Sequence, residues 1–353
     1  MLFVKNKSKI FVACPYTSTS GGAETLHQLV DQLNNIGYEA YIYYFDKSKV
    51  SEINDKFKKY NINYTTKVED KLDDILIISE SFTELLYKYR KIRKVIWWLS
   101  VDFYFSSFID KQFEMMMKDR NLPKKFSSVF KVLYYSYTIC ITKKFRKFKF
   151  QKDKNEYIHL YNCEYAKQFL KKKGISNDNM FYLCGPIRKE FFESTDISQK
   201  ENIVVYNPAK GLEYAKKIRN KMKDKDEKIK FIPIINMKPC EIINLLRRAK
   251  VYIDFGFFPG PERIPREAVS CKCNLITSNI GSAKNKIDVP IPKEFKFDID
   301  DKNINDICNL INDMVYDFDY YTSLFDIYRE KVKKQNDIFK KNISLIFRKC
   351  NEV

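Results

Sequence analysis

Histidine and tryptophan occur only twice each in this sequence, and glycine nine times in 353 residues. Two histidines cannot build a His-rich metal centre. The nine cysteines, Cys14, Cys140, Cys163, Cys184, Cys240, Cys271, Cys273, Cys308 and Cys350, are odd in number, scattered and without C-x-x-C spacing. Cys271-Lys272-Cys273 has no second thiol pair, so a zinc site is not expected. With no secretory leader ahead of them, the thiols read as reduced, in a cytoplasmic protein. No apolar run approaches the roughly twenty residues that span a bilayer, which excludes an integral membrane protein. Tandem repeats of short period are absent as well.

What is abundant is lysine, tyrosine and phenylalanine. Hydrophobic residues make up 44% and charged residues 31%, as in ordinary folded proteins. The formal charge of +19 would attract nucleic acid or an anionic membrane. Lysine enriched together with Asn, Ile, Tyr and Phe is also a product of coding bias, so charge alone selects neither partner. The length allows two domains, each with its own core.

Short apolar runs alternate with helical patterns. Ile10–Ala13, Ala40–Phe45, Ile75–Ile78 and Lys94–Leu99 read as strands, and Leu26, Leu29, Val30 and Leu33 place one apolar stripe on a helix that Gly37 caps. A stretch at about 103–154 breaks this rhythm with aromatic and basic residues and reads as an insertion. A polar linker near 193–201 separates a second set of strands: Ile203–Tyr206, Phe231–Ile234, Val251–Asp254 and Asn274–Thr277. The expected organisation is α/β: residues 1–192, residues 201–318, and a helical segment over 319–353 free to pack back on the first domain.

Ligands of open parallel sheets collect at the carboxyl ends of strands, so the loops there carry the chemistry. Ser18 to Glu24 contains Gly21 and Gly22, which suit either a ligand lying close to the backbone at a helix N-terminus or a turn that merely needs positive φ. Asn207 to Gly211 sets Lys210 and Gly211 between a strand and a helix, the position of a diphosphate clamp. Asp254 to Ala268 concentrates Gly and Pro with Glu262, Arg263, Arg266 and Glu267, where carboxylates could take sugar hydroxyls and arginines phosphate. Gly281, Ser282 and Ala283 should border the same place. Asp298-Ile299-Asp300 has the letters of a metal-binding D-x-D motif, but lies in polar sequence and reads as surface. A nicotinamide-dependent dehydrogenase is disfavoured because G-x-G-x-x-G does not follow the first strand.

Taken in order, these segments resemble the group 1 glycosyltransferases, retaining enzymes of the GT-B type with two Rossmann-like domains facing a central cleft. The resemblance implies that Gly21-Gly22 belong to the glycine loop near donor phosphate and acceptor. It implies too that Lys210 of the Lys-Gly step binds the donor diphosphate, and that Glu267 is the second Glu of the acidic motif, on the ribose. Pro259 stands where that motif has its first Glu, leaving Glu262 as substitute beside the transferred sugar, and Asn207 stands near the usual Arg of the Lys-Gly step. Transfer would retain configuration and need neither metal nor cofactor beyond the nucleotide-sugar.

An inverting reaction would instead need a base in the first domain, for which Asp102, then Glu24, are the candidates. Trp97 and Trp98 suit either a core or stacking on an acceptor sugar. The apolar stretch 126–141 and the basic run 143–154, with Phe145, Phe148 and Phe150, fit an anionic membrane surface and so a lipid-linked acceptor in surface polysaccharide synthesis. Two further readings stand beside this one. One is a basic nucleic-acid-binding protein, against which no RNA or DNA motif is found. The other is a GT-B-like sugar-nucleotide epimerase, which would use donor alone.

Overall fold

The computed structural model describes residues 1–104, 148–150, 156–193 and 196–350. The stretch 126–141 and most of 143–154 lie outside them. The chain forms two compact units: Met1–Asn162, Ala166–Leu183 and Lys340–Val353 make the first, Cys163–Tyr165 and Cys184–Phe339 the second.

In the first unit lie strands β1 (Leu2–Val4), β2 (Lys9–Cys14), β3 (Glu39–Tyr44), β4 (Asn63–Thr65), β5 (Ile75–Ser79), β6 (Arg93–Trp98), β7 (Ile158–Tyr161) and β8 (Met180–Tyr182). Seven of them form one parallel sheet in the order β4-β3-β2-β5-β6-β7-β8. All five residues of β5 are buried, the near-continuous apolar run that a sheet covered on both faces demands. Helix α1 (Gly21–Asn35) buries Leu26, Leu29, Val30 and Leu33. It ends as expected at Gly37, whose φ of +81° lets Gly37 N–H reach Asn34 O and Tyr38 N–H reach Leu33 O, each at 3.0 Å.

Trp97 and Trp98 are wholly buried, so neither can stack on an acceptor sugar. Their indole N–H groups donate to Leu183 O and to His159 Nδ1, both at 3.0 Å. Phe148 and Phe150 are buried as well, and Phe150 stacks on Trp98 with ring centroids 5.5 Å apart. These two rings, expected to face a membrane, belong instead to the core of the first unit.

The second unit is built on β9 (Glu201–Tyr206), β10 (Lys230–Pro233), β11 (Ala249–Asp254), β12 (Asn274–Ser278) and β13 (Lys296–Phe297), parallel in the order β10-β9-β11-β12-β13. Its helices include α3 (Leu212–Lys225), α4 (Pro239–Arg248), α5 (Arg263–Ser270) and α6 (Ile304–Tyr316), while α2 (Glu164–Lys172) precedes β8. The short helices α7 (Phe318–Ser323) and α8 (Asp326–Lys333) follow, then α9 (Gln335–Ile346), and strand β14 (Phe347–Lys349) pairs with β1 in the first unit.

The strand order reverses between β2 and β5 in one sheet, and between β9 and β11 in the other. Such reversals send neighbouring connections to opposite faces and open a crevice at the strand ends. The loops after β2, β5, β9 and β11 are therefore where binding groups should be sought. Asp298 follows β13 immediately, which the polar sequence gave no reason to expect, yet it is exposed like Asp300. Tyr214 Oη donates to the Asp300 carbonyl, and Asn279 Nδ2 to Asp298 Oδ1 at 3.1 Å, so the segment braces its neighbours.

Candidate functional site

In the second unit, three loops are forced together at the reversal of strand order. Asn207 Oδ1 accepts from Ala209 N–H at 3.0 Å and Lys210 N–H donates to Asn207 O, a tight turn that delivers Lys210 directly to the start of α3. Asn207 thus shapes this loop with its side chain. Gly211 caps α3 at φ +66°, and a Cβ there would stand 2.5 Å from Phe255 O. Only glycine satisfies both conditions. A Cβ on Gly256 would lie 2.4 Å from Cβ of Lys210, so the lysine stem runs over the bare backbone of that glycine. On the other side Gly281, at φ +61°, would bring a Cβ to 2.1 Å from Phe258 O.

Hydroxyl groups complete the clasp on the loop after β11. Ser278 Oγ donates to Gly256 O at 2.6 Å, Ser282 Oγ to Gly260 O at 2.7 Å and Ser282 N–H to Phe258 O at 2.9 Å. Gly281, Ser282 and the buried Ala283 therefore hold the back of this loop. Asp254, at the end of β11, accepts Gly256 N–H at 3.0 Å and Tyr252 Oη at 3.1 Å. Burial lifts its carboxyl to about 6, against the pull of those donors and of Lys210.

Lys210 Nζ lies 2.5 Å from Glu262 Oε2 and 3.4 Å from Phe257 O. Glu262 occupies the N-cap position of α5 with its side chain turned to Lys210, and Arg263 and Glu267 stand one turn apart on that helix, 3.6 Å from each other and largely buried. Arg266 points elsewhere. Its guanidinium donates to Glu262 O, Pro261 O and Gly185 O at 3.0–3.2 Å, which commits the side chain expected to bind phosphate to holding backbone. Lys210 and Glu262 thus join the starts of α3 and α5, and Arg263 and Glu267 follow on the first turns of α5. A cation, free helix N–H groups and carboxylates side by side can hold a diphosphate and hydroxyl-bearing rings.

The first unit brings together a different set. Gly21 and Gly22 are the opening residues of α1, capped by Ser20 Oγ, which accepts Ala23 N–H at 3.3 Å. Neither has positive φ, so the pair is no turn device. A Cβ on Gly22 would make only ordinary contacts, the nearest at 3.8 Å. What the two glycines provide is uncovered N–H groups at the start of a helix of fifteen residues. Glu24 is buried in the same first turn, where Tyr60 Oη donates to it at 2.9 Å and Lys56 and Lys59 lie 3.5 and 3.6 Å away.

Asp102 is half-buried in a single helical turn, Val101–Tyr104, four positions beyond β6. The end of β6 is capped by a residue that sequence reasoning passed over. Glu80, directly after β5 and fully buried, accepts Leu99 N–H at 2.8 Å and Ser100 N–H at 3.1 Å. Burial pushes its carboxyl up to about 7, although those donors favour the charged form. The sequence offered only a carboxylate standing directly after an apolar run, and the strand order that marks it out is seen in the fold. Among the described residues no group of three His, Cys, Asp or Glu side chains could hold a metal ion.

No protein-family model matches the chain, and no curated protein matches it by sequence. Solved structures do match it over nearly its whole length. HepE of Anabaena in complex with UDP-glucose covers 96% of this chain and 98% of its own, at a TM-score of 0.59 and 10% identity. Sucrose-phosphate synthase of Thermosynechococcus elongatus matches with the same coverage at 0.58 and 11%. The lipopolysaccharide outer core galactosyltransferase WaaB does so at 0.57 and 12%. These likenesses show the fold: two Rossmann-like α/β units of GT-B type.

Two outcomes follow from the geometry. Gly211→Ala should destabilise the protein by about 2–4 kcal/mol, since it adds positive-φ strain to a backbone clash, whereas Gly22→Ala should stay within about 1 kcal/mol of wild type. Urea unfolding of both variants checks the contrast. Because Glu80 in the folded protein holds its proton up to about 7, against 4.5 ordinarily, the folded state binds a proton that the unfolded chain has released. Its contribution to stability is complete below about 4.5 and disappears as pH rises through about 7. The unfolding free energy of Glu80→Gln relative to wild type should therefore grow between pH 5 and pH 8; a constant difference would contradict this assignment.

Proposed function

We propose that this chain is a glycosyltransferase that moves a hexose from a nucleotide-sugar to a glycan or lipid-linked acceptor in the synthesis of a surface polysaccharide. The observation that carries the proposal is Lys210, held by Gly211 and Gly256 between the N-terminus of α3 and the acidic start of α5, at the reversal of strand order. The chemistry of the fold's other members points the same way. HepE binds UDP-glucose, and WaaB is a galactosyltransferase of lipopolysaccharide.

Glycosyl transfer breaks the bond between the anomeric carbon and a diphosphate oxygen, so charge grows on the leaving group while the sugar becomes cationic. Lys210 and the first N–H groups of α3 meet the diphosphate and favour its departure. Glu267 accepts hydrogen bonds from the ribose hydroxyls, with Arg263, 3.6 Å from it, orienting the carboxylate. In this reading transfer retains configuration, with the departing phosphate oxygen taking the proton of the acceptor hydroxyl, and no protein base or metal is invoked. The N–H groups of Gly21 and Gly22 supply a second anion-friendly surface, for the acceptor side.

Lys210→Ala and Glu267→Ala should each weaken nucleotide-sugar binding at least about tenfold, the loss expected for a charge-assisted hydrogen bond, measured at a temperature where circular dichroism shows each variant folded. Calorimetric titration measures this, and unchanged affinity in both variants would sink the assignment. NMR of the product reads its anomeric configuration. Inversion would move the mechanism to a protein base, with Asp102 the first residue to replace. Conversion of donor in the absence of any acceptor, without free nucleotide, would identify an epimerase instead.

A further inference from the structure

The cation proposed to grip the donor diphosphate is already occupied. Lys210 Nζ sits 2.5 Å from Glu262 Oε2, and the pair is largely shielded, with side-chain exposures of 30% and 21%. Nothing in the local backbone leaves the contact to chance. Gly256 lacks the Cβ that would deflect the lysine stem, and Gly211 lets the two loops approach. Glu262 is fixed from its own side, because Arg266 grips the Glu262 and Pro261 carbonyls and anchors them to Gly185 O. The carboxylate is thus presented to Lys210 by a rigid helix start.

We infer that Glu262 is an internal counter-ion which the donor diphosphate must displace, and that this exchange frees its carboxylate to receive the hydroxyls of the transferred sugar. The inference rests on the reading of Lys210 as the diphosphate clamp. An anion binding at Lys210 competes with a carboxylate tethered beside it, so lone phosphates gain little. A nucleotide-sugar recovers what it loses on breaking the pair, since its own hydroxyls hydrogen-bond to the released Glu262. Glu262 thereby becomes a specificity-determining residue: it selects against diphosphate without a sugar and for diphosphate that carries one. Pro259, in the place of the first Glu of the acidic motif, leaves this task to a residue three positions later.

The test compares two probes on the full chain, inorganic pyrophosphate and the nucleotide-sugar found to be turned over, by calorimetry with wild type, Glu262→Gln and Lys210→Ala. Glu262→Gln removes the competing charge and keeps the shape. It should bind pyrophosphate at least about threefold more tightly than wild type, the effect of freeing a partly buried ion pair. Its preference for nucleotide-sugar over pyrophosphate should fall by more than that factor. Equal or weaker pyrophosphate binding by Glu262→Gln, with binding abolished by Lys210→Ala, would overturn the counter-ion while leaving the clamp in place. Unchanged pyrophosphate binding by Lys210→Ala would remove the clamp itself, and with it the donor-site reading.

Discussion

Everything proposed for the second unit depends on how closely three backbone segments can approach one another. The loop after β11 is pressed between the loops after β9 and β12, at distances where a single Cβ on Gly211, Gly256 or Gly281 would collide with backbone or with the Lys210 stem. Two of these glycines also take left-handed backbone angles. Of the nine glycines in 353 residues, four lie in these loops, Gly260 being the fourth. Serine hydroxyls then fasten the pressed loop to its neighbours, and the consequence is a lysine and a carboxylate whose positions are set by rigid backbone rather than by their own flexible stems.

The same logic of strand ends governs the first unit, with different means. There the helix N-terminus is left open by two glycines with ordinary backbone angles, and a buried carboxylate, Glu80, ties the end of β5 to the end of β6. Burying a carboxyl group raises its proton affinity, and hydrogen bonds from backbone only partly offset that. Each unit therefore carries a buried acid at its strand ends, Glu80 in one and Asp254 in the other, with its proton affinity raised by burial. Asp254 lies beneath the Lys210 loop, held by Tyr252 and Gly256, and so supports the clamp from inside the sheet.

Much of this was legible in the sequence, and what was missed has identifiable causes. The buried strands announced themselves as apolar runs, α1 by its stripe, and its end by Gly37, because parallel sheets and amphipathic helices write their burial into residue order. Strands of two or three residues such as β1, β13 and β14 are too short for any period. The segment Asn207–Gly211 and the Gly281 turn were recognisable as loops with special residues, but not which polar side chains turn to backbone, as those of Asn207, Arg266 and Ser282 do. That division depends on which carbonyls lie within reach after folding. Residue type does not encode it. Glu80 went unnoticed because a lone carboxylate after a strand is common, and only the reversal of strand order gives it meaning. Trp98 and Phe150 appeared suited to sugars or membranes because aromatic rings serve cores and surfaces equally well, and burial alone decides between them.

The central claim is that a nucleoside diphosphate sits at the β9/β11 reversal. Amide hydrogen exchange of the full chain, followed by mass spectrometry with and without saturating nucleoside diphosphates, tests it most directly. The account predicts slowed exchange at 207–213 and at 254–268 with one of them. Binding that leaves both segments unchanged, or protects only segments elsewhere, would contradict it.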